Sequence, residues 1–197
     1  RFTRLYDEES EWALKNRANA TALRNAAQQA KDFLIGSAGY HQTLAQQAKE
    51  RGDFEKAKSE YTIAANLYGK YLEKFPYTSE SYDISYNFAD CLYFSGQIAR
   101  AVLVYERIRD DKNQDRLRND AGLATYHCYH TLWEESPERQ LKSEEKRGTP
   151  FSKLEEKLIE ASDIYLEIAK DAQDRSAVAY SSARIFYDHG KFEEAEK

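Results

Sequence analysis

Gly52-Asp53-Phe54-Glu55-Lys56-Ala57, Gly96-Gln97-Ile98-Ala99-Arg100-Ala101 and Gly190-Lys191-Phe192-Glu193-Glu194-Ala195 are three copies of one pattern. Each reads glycine, any residue, a large apolar residue, two more residues, then alanine. Glycine takes the left-handed conformation that ends a helix at little cost, because it has no Cβ. The apolar residue plugs the turn, and the alanine lets the following helix approach a neighbour closely. In the first two copies a tyrosine stands four residues after the alanine, as Tyr61 and Tyr105. One helical turn puts it beside that alanine. Ala161 and Tyr165 repeat the pair without the glycine. Recurrence on this scale signals a repeat architecture.

The segments ahead of each glycine agree as well. Leu44-Ala45 and Ala48 precede Gly52, Phe88-Ala89 and Leu92 precede Gly96, and Ala183 and Phe186 precede Gly190. Large, small, then apolar three residues on defines one helix face. Each unit is therefore a helix, a glycine turn and a second helix. Over residues 38–197 this closely resembles the tetratricopeptide repeat (TPR). The resemblance implies an all-α, right-handed α-solenoid of antiparallel helix pairs, a TPR-like superhelix. The spacing departs from the family. It is 44 residues from Gly52 to Gly96 and 94 from Gly96 to Gly190, against a unit of about 34 residues.

The first excess is read as a long second helix over 54–75, with Ala64, Tyr68, Tyr71 and Phe75 on its packed side and Pro76 as its stop. Thr78 or Ser79 is expected to cap the next helix. The second excess hides another repeat, with a first helix over about 116–133. Its second helix starts at Ser152, where Glu155 three residues on makes a capping box. Leu158, Ala161, Tyr165 and Ile168 form one face of that helix. Between them, 136–152 is polar, charged and broken by Pro137, Gly148 and Pro150, which predicts a mobile, solvated loop. Upstream, the spacing from Leu23 to Ala48 passes through Gly36 and Gly39 and predicts one long helix over about 20–51. A break at 36–39 is the alternative. Trp12 is assigned to a shorter helix capping the apolar end. The expected map is N-terminal capping helices in 1–37, a first repeat in 38–78, a second in 79–115, a third in 116–174 with its loop insertion 136–152, and the start of a truncated fourth in 175–197. The start at Arg1 and the short last helix lead to the expectation that the native protein extends beyond this chain.

Composition narrows the function. The chain has 197 residues, a net charge of −5, 32% charged residues, 8 glycines and 3 prolines. So few turn formers argue against an all-β sandwich or barrel. No stretch approaches the roughly 18 apolar residues of a membrane span. The acidic balance argues against nucleic acid as a partner. Cys91 and Cys128 are too few for a disulfide scaffold or a cysteine zinc module. Tyr68-Gly69-Lys70-Tyr71-Leu72-Glu73-Lys74-Phe75-Pro76-Tyr77-Thr78-Ser79, followed by Tyr86-Asn87-Phe88-Ala89 and Gly96, resembles a helix ending found in bacterial envelope TPR proteins. Those include lipoproteins that assist outer-membrane protein assembly and periplasmic proteins linked to cell division. This narrower resemblance implies a periplasmic or outer-membrane-associated scaffold.

No catalytic pattern stands out. His127, His130 and Glu134 share a helix face at three- and four-residue steps, the spacing of some helical metal sites. No further ligand is identifiable, and a packed histidine pair is the preferred reading. His41 and His189 have no nucleophile or acid at a diagnostic spacing. Phosphate loops, nucleophile elbows and paired carboxylates are missing. Asn19-Ala20-Thr21 fits a glycosylation acceptor, a common three-residue pattern. The chain is therefore read as a non-enzyme without catalytic, cofactor or metal residues.

Binding is the stronger reading. In the resembled family the first helix of each unit lines the concave surface. In the second repeat that helix is 81–95, with Phe88, Ala89 and Leu92 turned to the core. Asp83, Tyr86, Asp90 and Tyr93 then share its other face, acidic and aromatic. Tyrosine offers a rigid contact at low entropy cost, and carboxylates pair with Lys or Arg of a ligand. These four are the candidate partner-binding residues. The alternative places them against a neighbouring helix or in solvent. Tyr126, Tyr129 and Trp133 stay open between core and groove. Residues 80–95 contain no Lys or Arg, unlike the basic clamp by which some TPR domains hold a chaperone's C-terminal carboxylate. The expected function is a protein interaction scaffold that binds a protein or peptide, of basic character, on its concave surface. The alternatives are a self-assembling structural spacer or a non-catalytic regulatory part of a larger enzyme.

Overall fold

A computed structural model describes residues 10–196. Residues 1–9 of the expected N-terminal region, and Lys197, lie outside the described residues. The order is α1 (Glu11–Lys15), α2 (Ala20–Glu50), α3 (Phe54–Lys74), α4 (Ser81–Phe94), α5 (Ile98–Arg109), α6 (Arg118–Glu134), a 3-10 turn (Pro137–Gln140), α7 (Ser143–Lys146), α8 (Lys153–Ile168), α9 (Arg175–Asp188) and α10 (Phe192–Ala195). No strand occurs among the described residues. The chain is all-α among its described residues, and within each unit the long helices pack on one another in sequence order. It divides into two compact units, one ending at Ser95 and one beginning at Gly96.

The glycine turns form as the repeated pattern requires. Gly52, Gly96 and Gly190 all have positive φ, at 77°, 82° and 76°. Asp53 then caps α3 by accepting from the Lys56 amide at 3.2 Å. The long helix is continuous. α2 runs 31 residues through Gly36 and Gly39, and its Asn19 cap accepts from the Ala22 amide at 3.0 Å.

In the first unit α2 packs on α3, and α3 on α4. The seam is alanine and tyrosine: Ala38, Ala45 and Ala48 on α2 are buried, with Ala57, Tyr61, Ala64, Tyr68 and Tyr71 on α3. Alanine brings the backbones together, and the tyrosine rings fill the remaining space while their hydroxyls reach polar partners. The Tyr68 hydroxyl donates to Gln42 Oε1 at 2.8 Å. His41 Nδ1 lies 2.6 Å from Glu60 Oε2, joining the same two helices.

In the second unit α5 packs on α6, α6 on α8, α8 on α9 and α9 on α10. Its core gathers Tyr126, Trp133, Leu158, Ala161, Tyr165, Ala169, Val178 and Ile185. Tyr126 and Trp133 are thus core residues, and Tyr129 is half-buried with its hydroxyl donating to Glu106 Oε1 at 2.9 Å. The capping box of α8 is present: Ser152 Oγ accepts from the Glu155 amide at 3.2 Å, and Glu155 Oε2 from the Ser152 amide at 2.9 Å.

Two local expectations change. Neither Thr78 nor Ser79 caps α4, whose first-turn cap position is Glu80 without a side-chain bond. The hydroxyls knot the preceding turn instead: Tyr71 and Thr78 meet at 2.7 Å, Thr78 and Ser81 at 2.9 Å, and Ser81 donates to the Phe75 carbonyl at 2.8 Å. Pro76 ends α3, and polar side chains rather than a new cap carry the chain round to α4.

The 136–152 insertion is not a featureless loop. It forms the 3-10 turn and α7, and α7 packs on α9. Ser143 Oγ donates to Asp188 Oδ1 at 2.7 Å, and the Gly148 amide to the His189 carbonyl at 3.1 Å. Lys146 is buried and bonds Glu155 Oε1 at 3.1 Å. Polar pairing takes the place of the apolar content that the segment lacks.

Candidate interaction surface

α4 presents the four candidate residues. At about 100° per residue, Asp83, Tyr86, Asp90 and Tyr93 fall within an arc of about 80°. The opposite side carries Ser81, Ile84, Cys91 and Leu92, all buried. Asp83 is exposed; Tyr86, Asp90 and Tyr93 are half-buried. The fold therefore brings the four onto one face. Each also has an interaction partner within the chain. Of the residues expected at the core, Ala89 and Leu92 are fully buried and Phe88 is half-buried. Phe88 lies against Gly69 of α3, where a Cβ would stand 3.3 Å from its ring. Gly69 is the close approach that seats α4 on α3.

The lower end of this face is aromatic and carries a cation. Phe94 stacks on Tyr61 at 5.1 Å between centroids and meets Tyr93 edge-on at 5.3 Å. Lys49 Nζ sits 4.0 Å from the Phe94 ring centre, within cation–π range. Asp90 acts electrostatically inward as well. Burial and the neighbouring Asp90 push the Cys91 thiol up to about 12. Burial and Cys91 push the Tyr68 hydroxyl to about 12. Cys91 is thus a neutral, packed thiol, without the low pKa that nucleophilic chemistry needs.

Other polar groups behave structurally. His130 Nε2 stands 3.9 Å from Glu134 Oε1. Among the described residues no group of three or more His, Cys, Asp or Glu is arranged to hold a metal. An open cleft in the second unit is lined by Asp120, Leu123, Tyr165, Ile168, Lys170 and Asp174, with no His, Cys or Ser in its lining. No helix among the described residues is long and apolar enough to cross a membrane.

Sequence reasoning missed one cluster. His189, read as isolated, has its Nε2 3.2 Å from Glu155 Oε2. Glu155 was visible only as a capping residue, and Lys146 only as part of a charged loop. Their positions span 43 residues, and local periodicity carries no signal for such a meeting. His41, also read as isolated, pairs with Glu60 on the next helix.

No family model matches the chain, and no curated protein matches it. Among solved structures it is similar to a Podosopora anserina protein described as a kinesin light chain with nearly identical TPR-like repeats, at 14% identity and a TM-score of 0.49, over 79% of this chain and 68% of that one. The fold assignment rests on the chain's own elements: helix, left-handed glycine, helix, and alanine–tyrosine seams between successive helices make it TPR-like.

Proposed function

We propose that the protein is an interaction scaffold that binds a protein or peptide partner through the face of α4 that carries Asp83, Tyr86, Asp90 and Tyr93. One observation carries the reading: Asp83, exposed, and Tyr86, Asp90 and Tyr93, half-buried, share one arc of a helix whose opposite side is buried in the core. Two carboxylates beside two tyrosines favour a ligand with Lys or Arg next to apolar side chains. The net charge of −5 acts in the same direction at long range and disfavours nucleic acid. A place in a bacterial envelope rests on the sequence resemblance of residues 68–79, continued by Tyr86-Asn87-Phe88-Ala89 and Gly96.

Peptide display against the purified chain tests the proposal. Selected sequences are expected to be rich in Lys and Arg. Tyr86→Ala is expected to weaken their binding about tenfold, the loss of one aromatic anchor. Asp83→Lys/Asp90→Lys is expected to abolish the basic preference, with far-UV circular dichroism unchanged. Selection of the same peptides at the same affinity by both variants would move the site off α4. A chain that selects nothing but self-associates with concentration would support the spacer reading instead.

A further inference from the structure

Counting back from the turn glycines matches α9 to α4. Tyr93 and Tyr86 stand three and ten residues before Gly96, and Tyr187 and Tyr180 stand three and ten residues before Gly190. Six residues before Gly96 is Asp90, and six before Gly190 is Arg184. Thirteen before each glycine, Asp83 is answered by Ala177. The tyrosine pair is kept, and the charge between its members is reversed. A partner suited to the face of α4 is therefore not suited to that of α9.

α9 gives this stripe to solvent. At about 100° per residue, Ala177, Tyr180, Arg184 and Tyr187 fall within an arc of about 80°. Val178, Ser182 and Ile185 on the other side are buried. Tyr180 is 68% exposed and Tyr187 57%, whereas Tyr86 and Tyr93 of α4 are half-buried. The two tyrosines of α9 are two turns apart, about 10 Å along the helix. Arg184 is exposed, four residues after Tyr180 and three before Tyr187, so it neighbours both on the helix surface. Among the described residues no carboxylate pairs with it. A second guanidinium extends the patch: Tyr187 meets Phe192 edge-on at 5.3 Å, and exposed Arg147 lies 5.9 Å from the Phe192 ring centre. The acid nearest the stripe in sequence, Asp188, is held by Ser143 at 2.7 Å. Glu193 and Glu194 lie past the turn, on α10.

A guanidinium between two exposed rings has a definite complement. Its planar fork takes a carboxylate through paired N–H donors. The flanking rings take apolar side chains and add hydroxyl donors. Tyrosine and arginine are also among the residues that most often dominate binding at interfaces. We propose that the Tyr180–Arg184–Tyr187 face of α9 docks an acidic segment of a protein partner, with a carboxylate side chain on Arg184 and apolar side chains on the two rings. The site stands on the exposure and charge of α9 itself. It does not depend on the reading of α4, and it selects the opposite charge.

Fluorescence anisotropy of the purified chain with short labelled peptides tests this. One peptide is built of Glu and Leu, and its control has Gln in place of every Glu. The Glu peptide is expected to bind about tenfold more tightly than the Gln peptide, the worth of one hydrogen-bonded charge pair. Arg184→Ala is expected to erase that difference, and Arg184→Lys to keep part of it. Tyr180→Ala is expected to weaken the Glu peptide about tenfold. Both side chains are exposed, so far-UV circular dichroism is expected to stay unchanged. Tyr86→Ala on α4 is expected to leave Glu-peptide binding as it is, which separates failure of this site from failure of that one. Equal binding of the two peptides, a preference that survives Arg184→Ala, or amide NMR shifts confined to helices other than α9 would each overturn the proposal. So would a concentration-dependent mass of the chain alone that Arg184→Ala abolishes, because the face would then belong to a second copy.

Discussion

Alanine and tyrosine set the distances between helices in this protein, and both were readable. Ala45, Ala64, Ala89, Ala101 and Ala121 are fully buried, at points where a larger side chain would hold the backbones apart. Ala101→Trp is therefore expected to overpack its site and cost about 1–3 kcal/mol or more, read as a lower urea midpoint. An unchanged midpoint would show that α5 has room at Ala101. Ile84 and Cys91 are core residues that the small–large pattern did not single out, because the pattern names only three positions on α4. The cysteines permit a second residue-level prediction. Cys91 and Cys128 are buried thiols, and burial with Asp90 keeps the Cys91 thiol protonated far above neutral pH. Reaction with a disulfide reagent at pH 8 is expected to wait for unfolding, releasing two thiol equivalents only in denaturant. A native burst of one equivalent would mean that a core seam opens readily.

Elements with a local cause were legible, and the one with a non-local cause was not. The 31-residue α2 follows from unbroken apolar spacing, and α8 begins where its capping box begins. The strap over 136–152 resists such reading, because what orders it is Glu155 on the next helix and His189 forty residues on. Burial alone pushes the Glu155 carboxyl up, but the Ser152 amide, Lys146 and His189 together hold it below the ordinary carboxylate range. Its folded value is thus depressed. The stability it contributes is present above the unfolded value of about 4.3 and is lost as pH falls through the folded value. Glu155→Gln leaves Lys146 buried without a counter-charge, and is expected to cost about 3–5 kcal/mol at pH 7. The variant is also expected to flatten the acid limb of the stability–pH curve below about pH 4.3. Adding Lys146→Met is expected to recover part of the loss, because it removes the orphaned charge. A double variant less stable than Glu155→Gln alone would show that Lys146 contributes by packing on Trp133 rather than by charge.

At the scale of the molecule, a repeat protein holds its stability in neighbours. Each helix pair leans on the next, so a local injury is felt first nearby and less with distance along the chain. The division at Ser95 and Gly96 gives this a concrete form, since each unit has its own buried seam. The helix-pair architecture was legible because each copy carries its own turn glycine and alanine. The division was not, because the Gly96 turn reads the same as the Gly52 turn. Leu158 is fully buried at the centre of the second unit's core, among Trp133, Tyr165 and Ile185. Leu158→Ala removes that centre and is expected to cost about 2–5 kcal/mol. Native-state hydrogen exchange then reads where the loss is felt. Amides of α6, α8 and α9 are expected to lose protection by the full amount, and those of α2 and α3 by much less. Equal loss throughout would mean that the 197 residues unfold as one cooperative body, and that the two units are a feature of geometry without an energetic counterpart.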